Sequence, residues 1–105
     1  MKLDAQQLER VANLFRAFGE ATRLAIIQEL KGGELSVSEI VGRLTTSQAN
    51  VSKQLKLLHA SGLVSRRKQG AQVIYQIADS MVFELCRLVC DKLNRDAVKP
   101  AKIRF

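Results

Sequence analysis

Apolar side chains recur along this chain at two different periods, and the change of period divides it. Leu8, Val11, Phe15 and Phe18 form a helical stripe behind Asp4, a residue suited to an N-cap, and Gly19 ends the run. A second helix is predicted from about Glu20 to Lys31, with Leu24, Ile27 and Leu30 inward and a stop at Gly32-Gly33. Ser36-Val37-Ser38-Glu39 has the S-x-x-E spacing of a capping box and opens a short third helix through Ile40, Val41 and Leu44. After the turn at Thr45-Thr46, Val51, Leu55 and Leu58 fall at i, i+4 and i+7 of a fourth helix, capped by Ser47 and stopped by Gly62. Past Gly62 the pattern becomes strand-like. Leu63 to Lys68 and Gln72 to Ile77 are β-rich runs on either side of Gln69-Gly70-Ala71, which reads as a hairpin turning at Gly70. Asp79 or Ser80 then caps a long final helix with Val82, Leu85, Cys86, Val89 and Leu93 on one face.

The third and fourth helices, joined by so short a turn, make a helix-turn-helix unit, and the basic hairpin directly after it is a wing. The expected fold is mainly α with a small β-hairpin wing, a winged helix-turn-helix in the order α-α-α-α-β-β-α. Residues 1–97 are expected to form one domain. Residues 98–105 are expected to be a basic, flexible tail broken by Pro100.

The outer face of the fourth helix carries the first chemical signal. Opposite its apolar stripe lie Ala49, Ser52, Lys53 and Lys56, with Gln48 at the exposed first turn and no carboxylate. A duplex major groove accepts such a face. Lysine meets phosphate, Gln and Asn can read adenine, and alanine lets the helix approach closely. Gln54 points partly towards the core and is a weaker candidate for base contact than Gln48.

The 105 residues carry a net charge of +7, which favours a polyanionic partner. The distribution sharpens this. Between Glu39 and Asp79 there is no acidic residue, while Arg43, Lys53, Lys56, Arg66, Arg67 and Lys68 lie inside. The rest of the chain nearly balances, with eleven basic and ten acidic residues, so the excess sits on the segment holding the fourth helix and the wing. Arg67 and Lys68, near the wing tip, would reach phosphate or the minor groove. With four Phe, one Tyr and no Trp, the chain is poorly supplied for stacking single-stranded bases.

Other classes find little support. Two cysteines do not make a secreted disulfide framework, and neither a signal-peptide pattern nor a membrane-length apolar run is present. A soluble, cytoplasmic protein is expected. No nucleophile–base pair, carboxylate pair or phosphate-cradling glycine loop is visible, and one histidine cannot form a relay alone, so an enzyme is not expected.

Several of these stretches resemble the ArsR/SmtB family of bacterial winged-helix repressors. Ala21-Thr22-Arg23-Leu24-Ala25-Ile26-Ile27-Gln28-Glu29-Leu30 is similar to that family's T-R-L-x-I-L-x-x-L run. Ser47-Gln48-Ala49-Asn50-Val51-Ser52-Lys53-Gln54-Leu55 looks like its S-Q-x-x-V-S-x-H-L helix, with Gln54 where His is common. Leu58 to Val64 follows L-x-x-A-G-L-V with Ser61 in place of Ala, and Val73-Ile74-Tyr75-Gln76-Ile77 is similar to V-x-Y-x-L. The likeness spans about residues 11 to 93. It implies a homodimer packed through the first and last helices and bound to a palindromic operator near its own promoter.

The family's metal boxes are altered. Its E-L-C-V-C-D-L pattern reads Glu34-Leu35-Ser36-Val37-Ser38-Glu39-Ile40 here, with hydroxyls in place of thiolates, which makes poor ligands for soft metals. Its second site, D-x-H with H-x-x-E, keeps Asp79 but has Met81, Lys92 and Arg95 at the other positions. No metal and no cofactor are expected. Cys86 and Cys90 leave two readings open: small apolar fillers of a dimer interface, or a thiol sensor. A disulfide between them within one intact helix is disfavoured, because i, i+4 Cβ atoms lie about 5–6 Å apart and a disulfide needs about 3.5–4.5 Å.

The sequence therefore predicts a DNA-binding transcriptional regulator, an autoregulating repressor released by an effector of unknown identity. Candidate DNA-binding residues are Ser47, Gln48, Ala49, Asn50, Ser52, Lys53, Lys56, Arg66, Arg67 and Lys68. Of these, the lysines and arginines are expected on phosphate, and Gln48, Ala49 and Ser52 near base edges. The alternatives are a regulator of this kind without metal or thiol sensing, and a winged-helix module that binds a protein partner.

Overall fold

A computed structural model of the chain describes residues 1–97 and 102–105. The helices are α1 (Ala5–Phe18), α2 (Ala21–Leu30), α3 (Val37–Arg43), α4 (Gln48–Ala60) and α5 (Met81–Asp96), and the strands are β1 (Leu35–Ser36), β2 (Val64–Gln69) and β3 (Gln72–Ile77).

The caps expected from sequence form as local hydrogen-bonded units. Asp4 accepts from the Gln7 backbone N–H while the Gln7 side chain accepts from that of Asp4. Ser36 and Glu39 make the same reciprocal pair at α3, and Ser47 accepts from the Asn50 N–H at α4. At α5 the Asp79 carboxylate, rather than the Ser80 hydroxyl, accepts from the Met81 N–H. The end of α4 is a Schellman turn: Leu63 N–H donates to the Leu58 carbonyl, Gly62 N–H to that of His59, and Gly62 takes φ 76°.

One element was not expected. β1 pairs antiparallel with β3, Leu35 opposite Tyr75 and Ser36 opposite Ile74, so the wing is part of a three-stranded sheet in the order β1-β3-β2. A pair of residues gives no readable alternation, and Ser36 doubles as the cap of α3, which masks the strand. The hairpin turn holds Gly70 and Ala71 between the paired Gln69 and Gln72. Gly70 has φ 62°, as the first central position of a two-residue hairpin turn requires.

Beneath the sheet, Ile26 and Ile27 of α2, Ile40 of α3, Val51, Leu55 and Leu58 of α4 and Val82 of α5 are fully buried. The helix-turn-helix pair is thereby fixed to the sheet by one shared core. The two outer helices are less enclosed. Within α1 only Ala17 and Phe18 are buried, while Leu8, Val11, Leu14 and Phe15 stay exposed. In α5, Val82, Cys86 and Cys90 face inward, while Leu88, Val89 and Leu93 are exposed.

The expected flexible tail falls partly on residues 98–101, outside the described residues. Residues 102–105 run back beside α5, where the Asn94 side-chain amide donates to the Ile103 carbonyl at 2.8 Å and accepts from its N–H at 2.6 Å.

Candidate nucleic-acid interface

α4 and the β2–β3 hairpin stand side by side, and a concavity of about 480 Å³ separates them. Ser52, Leu55 and Lys56 line it from α4; Arg66, Arg67, Lys68, Val73 and Tyr75 line it from the wing. Tyr75, Leu55 and the neighbouring core form its floor, so the cationic side chains are held at its rim. On the same side of α4, Ser47, Gln48, Ala49, Lys53 and Lys56 are exposed and Ser52 is half-buried. The helix pattern alone placed these residues on an outward face because burial of Val51, Leu55 and Leu58 fixes the rotation of α4.

The fold changes the charge picture that the acid-free segment suggested. Arg67 is held by Glu34, which precedes β1, through two hydrogen bonds at 2.5 and 2.8 Å. That bidentate contact keeps the Glu34 carboxyl below the usual carboxylate range. Arg43 faces Glu29 at 3.8 Å. Both carboxylates come from outside the segment and were invisible to a count along the chain. Among the described residues the structure records no ion pair for Lys53, Lys56, Arg66 or Lys68.

Asn50 and Gln54 are engaged inside the protein. Gln54 is buried; its Oε1 accepts from Arg23 Nη1 at 2.7 Å, and its Nε2 donates to Asn50 Oδ1 at 3.0 Å. Asn50 Nδ2 in turn donates to Thr46 Oγ1 at 2.9 Å. In the sequence Arg23 and Thr46 stand only as part of a family-like run and a turn, with nothing to mark them as part of the site. Arg23 lies 31 residues from Gln54, and only the packing of α2 on α4 joins them.

The two cysteines lie next to each other on α5, both buried. With Phe18, Leu24, Leu85 and Phe105 among their neighbours, they line an apolar cavity of about 360 Å³. Burial first, and the adjoining Cys90 second, push the Cys86 thiol up from its ordinary value. At the altered metal box, Ser36 is buried as the cap of α3, and among the described residues no three His, Cys, Asp or Glu side chains converge as a ligand set.

A helix-turn-helix pair fixed on one core, with its second helix presented beside a cationic wing, defines a winged-helix DNA-binding protein. The profile of the family described as "Bacterial regulatory protein, arsR family" matches residues 20–66. A helix-turn-helix transcriptional regulator of Methanocaldococcus jannaschii is 36% identical over 85 residues, 80% of this chain and 96% of its own. A homolog of the transcriptional repressor SmtB in Synechocystis is 36% identical, covering 90% of this chain and 70% of its own. Among solved structures, the homodimeric winged helix-turn-helix DNA-binding domain of a Mycobacterium bovis protein described as "a possible ArsR-family transcriptional regulator" superposes with a TM-score of 0.77 at 27% identity, covering 100% of both chains. The chain belongs to the ArsR/SmtB family and is a DNA-binding transcriptional regulator. No helix of the described residues is long and apolar enough to cross a membrane.

Proposed function

We propose that this protein is a homodimeric repressor whose paired α4 helices enter successive major grooves of a palindromic operator, with the wings against the flanking backbone. The observation that carries the reading is the rim of cations around the α4–wing concavity that make no ion pair among the described residues: Lys56, Arg66 and Lys68, continued by Lys53 along α4. These four side chains neutralise phosphates. Gln48, Ala49 and Ser52 approach base edges, and Ser47 caps the helix end that meets the backbone. Asn50 belongs to the interface by position, though its amide is occupied within the protein.

The dimer forms through α1 and α5, whose exposed apolar side chains a second copy would cover; the Mycobacterium bovis relative is itself homodimeric. The work of such a protein is binding, and its setting is the cytoplasm, where its DNA is.

The test is affinity against salt for single substitutions. Lys53→Ala should weaken binding to operator and mixed-sequence duplexes alike and flatten the plot of log K against log salt by about one unit per bound subunit. Gln48→Ala should cost about 1–3 kcal/mol on the operator with little change on mixed-sequence DNA. Equal losses on both duplexes for Gln48→Ala would remove it from base reading.

For Cys86 and Cys90 the packing role is favoured over thiol sensing. Both are buried, and burial pushes the Cys86 thiol up, which makes it a weaker nucleophile. The double substitution Cys86→Ala, Cys90→Ala should leave the response of operator affinity to peroxide unchanged. An oxidant-dependent loss of affinity seen only with the cysteines present would restore the sensor.

A further inference from the structure

The Arg23 guanidinium has only donors to offer, and it spends three of them on acceptors from two different helices. Nε donates to the Ala17 carbonyl and Nη2 to the Arg16 carbonyl, each at 2.8 Å. Both belong to the last turn of α1, where carbonyls run out of i+4 partners; that of Arg16 also accepts from the Gly19 N–H at 3.0 Å. Nη1 donates to Gln54 Oε1 at 2.7 Å. Arg23 thus ties the end of α1 to the middle of α4.

Its donor-only character also sets the direction of everything beyond it. Gln54 must turn its oxygen towards Arg23, which leaves its NH₂ facing Asn50. Asn50 must then accept with Oδ1 and donate with Nδ2, and the group it donates to is the Thr46 hydroxyl oxygen. Each link is at hydrogen-bond distance, and each donates outward from the cation. A hydroxyl that accepts from one side keeps its own proton for another acceptor. The structure records no acceptor for the Thr46 proton among the described residues. Thr46 is half-buried in the turn just before the Ser47 cap, at the end of α4 where helix polarity favours an anion.

We propose that Arg23 is a positioning residue for DNA binding, acting through Gln54 and Asn50 to aim the Thr46 hydroxyl outward as a donor to a DNA phosphate. Asn50 accordingly serves as a link in this relay rather than as a free reader of bases. The inference rests on the reading that α4 enters the major groove, which brings phosphates alongside the turn before it.

A double-substitution cycle tests it, because Gln54→Glu reverses the relay without removing Arg23's partner. Glu at 54 accepts from Arg23 even better than Gln, so the fold should melt no lower than wild type. It cannot donate to Asn50, whose amide then turns over, presents Oδ1 to Thr46 and draws the hydroxyl proton inward. The added negative charge weakens DNA binding by itself, so the informative quantity is the effect of Thr46→Val in each background. Affinity would be measured by fluorescence anisotropy on a mixed-sequence duplex of about 30 base pairs, long enough for both half-sites.

In the wild-type background Thr46→Val should raise Kd about tenfold, as loss of a hydrogen bond to a charged group does, while Thr46→Ser should stay within about twofold. In the Gln54→Glu background Thr46→Val should change Kd by less than about twofold. The same tenfold loss in both backgrounds, or no loss in either, overturns the relay. Lys53→Ala, measured alongside, separates the two levels. A loss there beside an unaffected Thr46→Val overturns the relay alone. No loss in either overturns the docking of α4, and the relay's role with it.

Discussion

At the scale of single residues, what could be read from the chain is what is decided within one turn of helix. The capping pairs Asp4–Gln7 and Ser36–Glu39 form because the partners are three positions apart and meet whenever the helix starts. Gly62 was legible as a stop for the same reason, and its φ of 76° now gives the stop a cost. A Cβ at Gly62 would meet no atom within 4 Å, so substitution there isolates the backbone term. Gly62→Ala should destabilise the protein by about 1–2 kcal/mol in urea unfolding. Gly42, inside α3 with equally open surroundings and no left-handed φ, should respond with the opposite sign. Gly42→Ala is expected to stabilise by about 0.5–1 kcal/mol. Equal effects at the two sites would mean that the helix stop carries no conformational demand.

At the scale of elements, the helices and the hairpin were legible because each has its own period, and β1 was not because it is only two residues long. The consequence reaches the DNA-binding surface. The turn leading into β1 carries Glu34 to the wing, where it holds Arg67. Sequence placed Arg67 in an acid-free segment; the three-stranded sheet returns a carboxylate to it from 33 residues away. The pair is about half exposed on each side, so its worth to the fold is small. On the proposed DNA-binding surface its effect on affinity should be larger, since a phosphate would have to compete with Glu34 for the same guanidinium. Glu34→Gln should therefore strengthen mixed-sequence DNA binding about threefold at low salt, with the gain shrinking as salt rises. Arg67→Ala should weaken binding less than Arg66→Ala, since Arg66 has no acidic partner among the described residues. If Arg67→Ala proved the more damaging in a salt titration, Glu34 would be a partner released on binding rather than a standing competitor.

At the scale of the whole molecule, the single chain leaves α1 and α5 half finished. A helix with Leu8, Val11 and Phe15 on one face has little reason to hold that face to water, and Val89 and Leu93 extend the exposed apolar surface on α5. The periodicity of these residues is readable in the sequence, but the pattern alone does not separate core from interface, and it is the family resemblance that implies packing of both helices against a second copy. Only the placement of Ile26, Ile27, Leu55, Leu58 and Val82 shows that the core is complete without them. The proposed operator binding by two α4 helices one helical turn apart would require a fixed distance between subunits, and these exposed side chains could set it. Burying a charge there should separate the subunits without unfolding them, because neither Phe15 nor Leu93 is enclosed within its own chain. Phe15→Asp with Leu93→Asp should halve the mass seen by analytical ultracentrifugation while the helical circular dichroism is retained. Operator affinity should fall by at least about a hundredfold, since each half-site must then be held alone. A variant that stayed dimeric would show that the subunits meet elsewhere. A monomer that kept full operator affinity would show that one α4–wing surface suffices, and that the exposed faces of α1 and α5 serve something other than the spacing of two recognition helices.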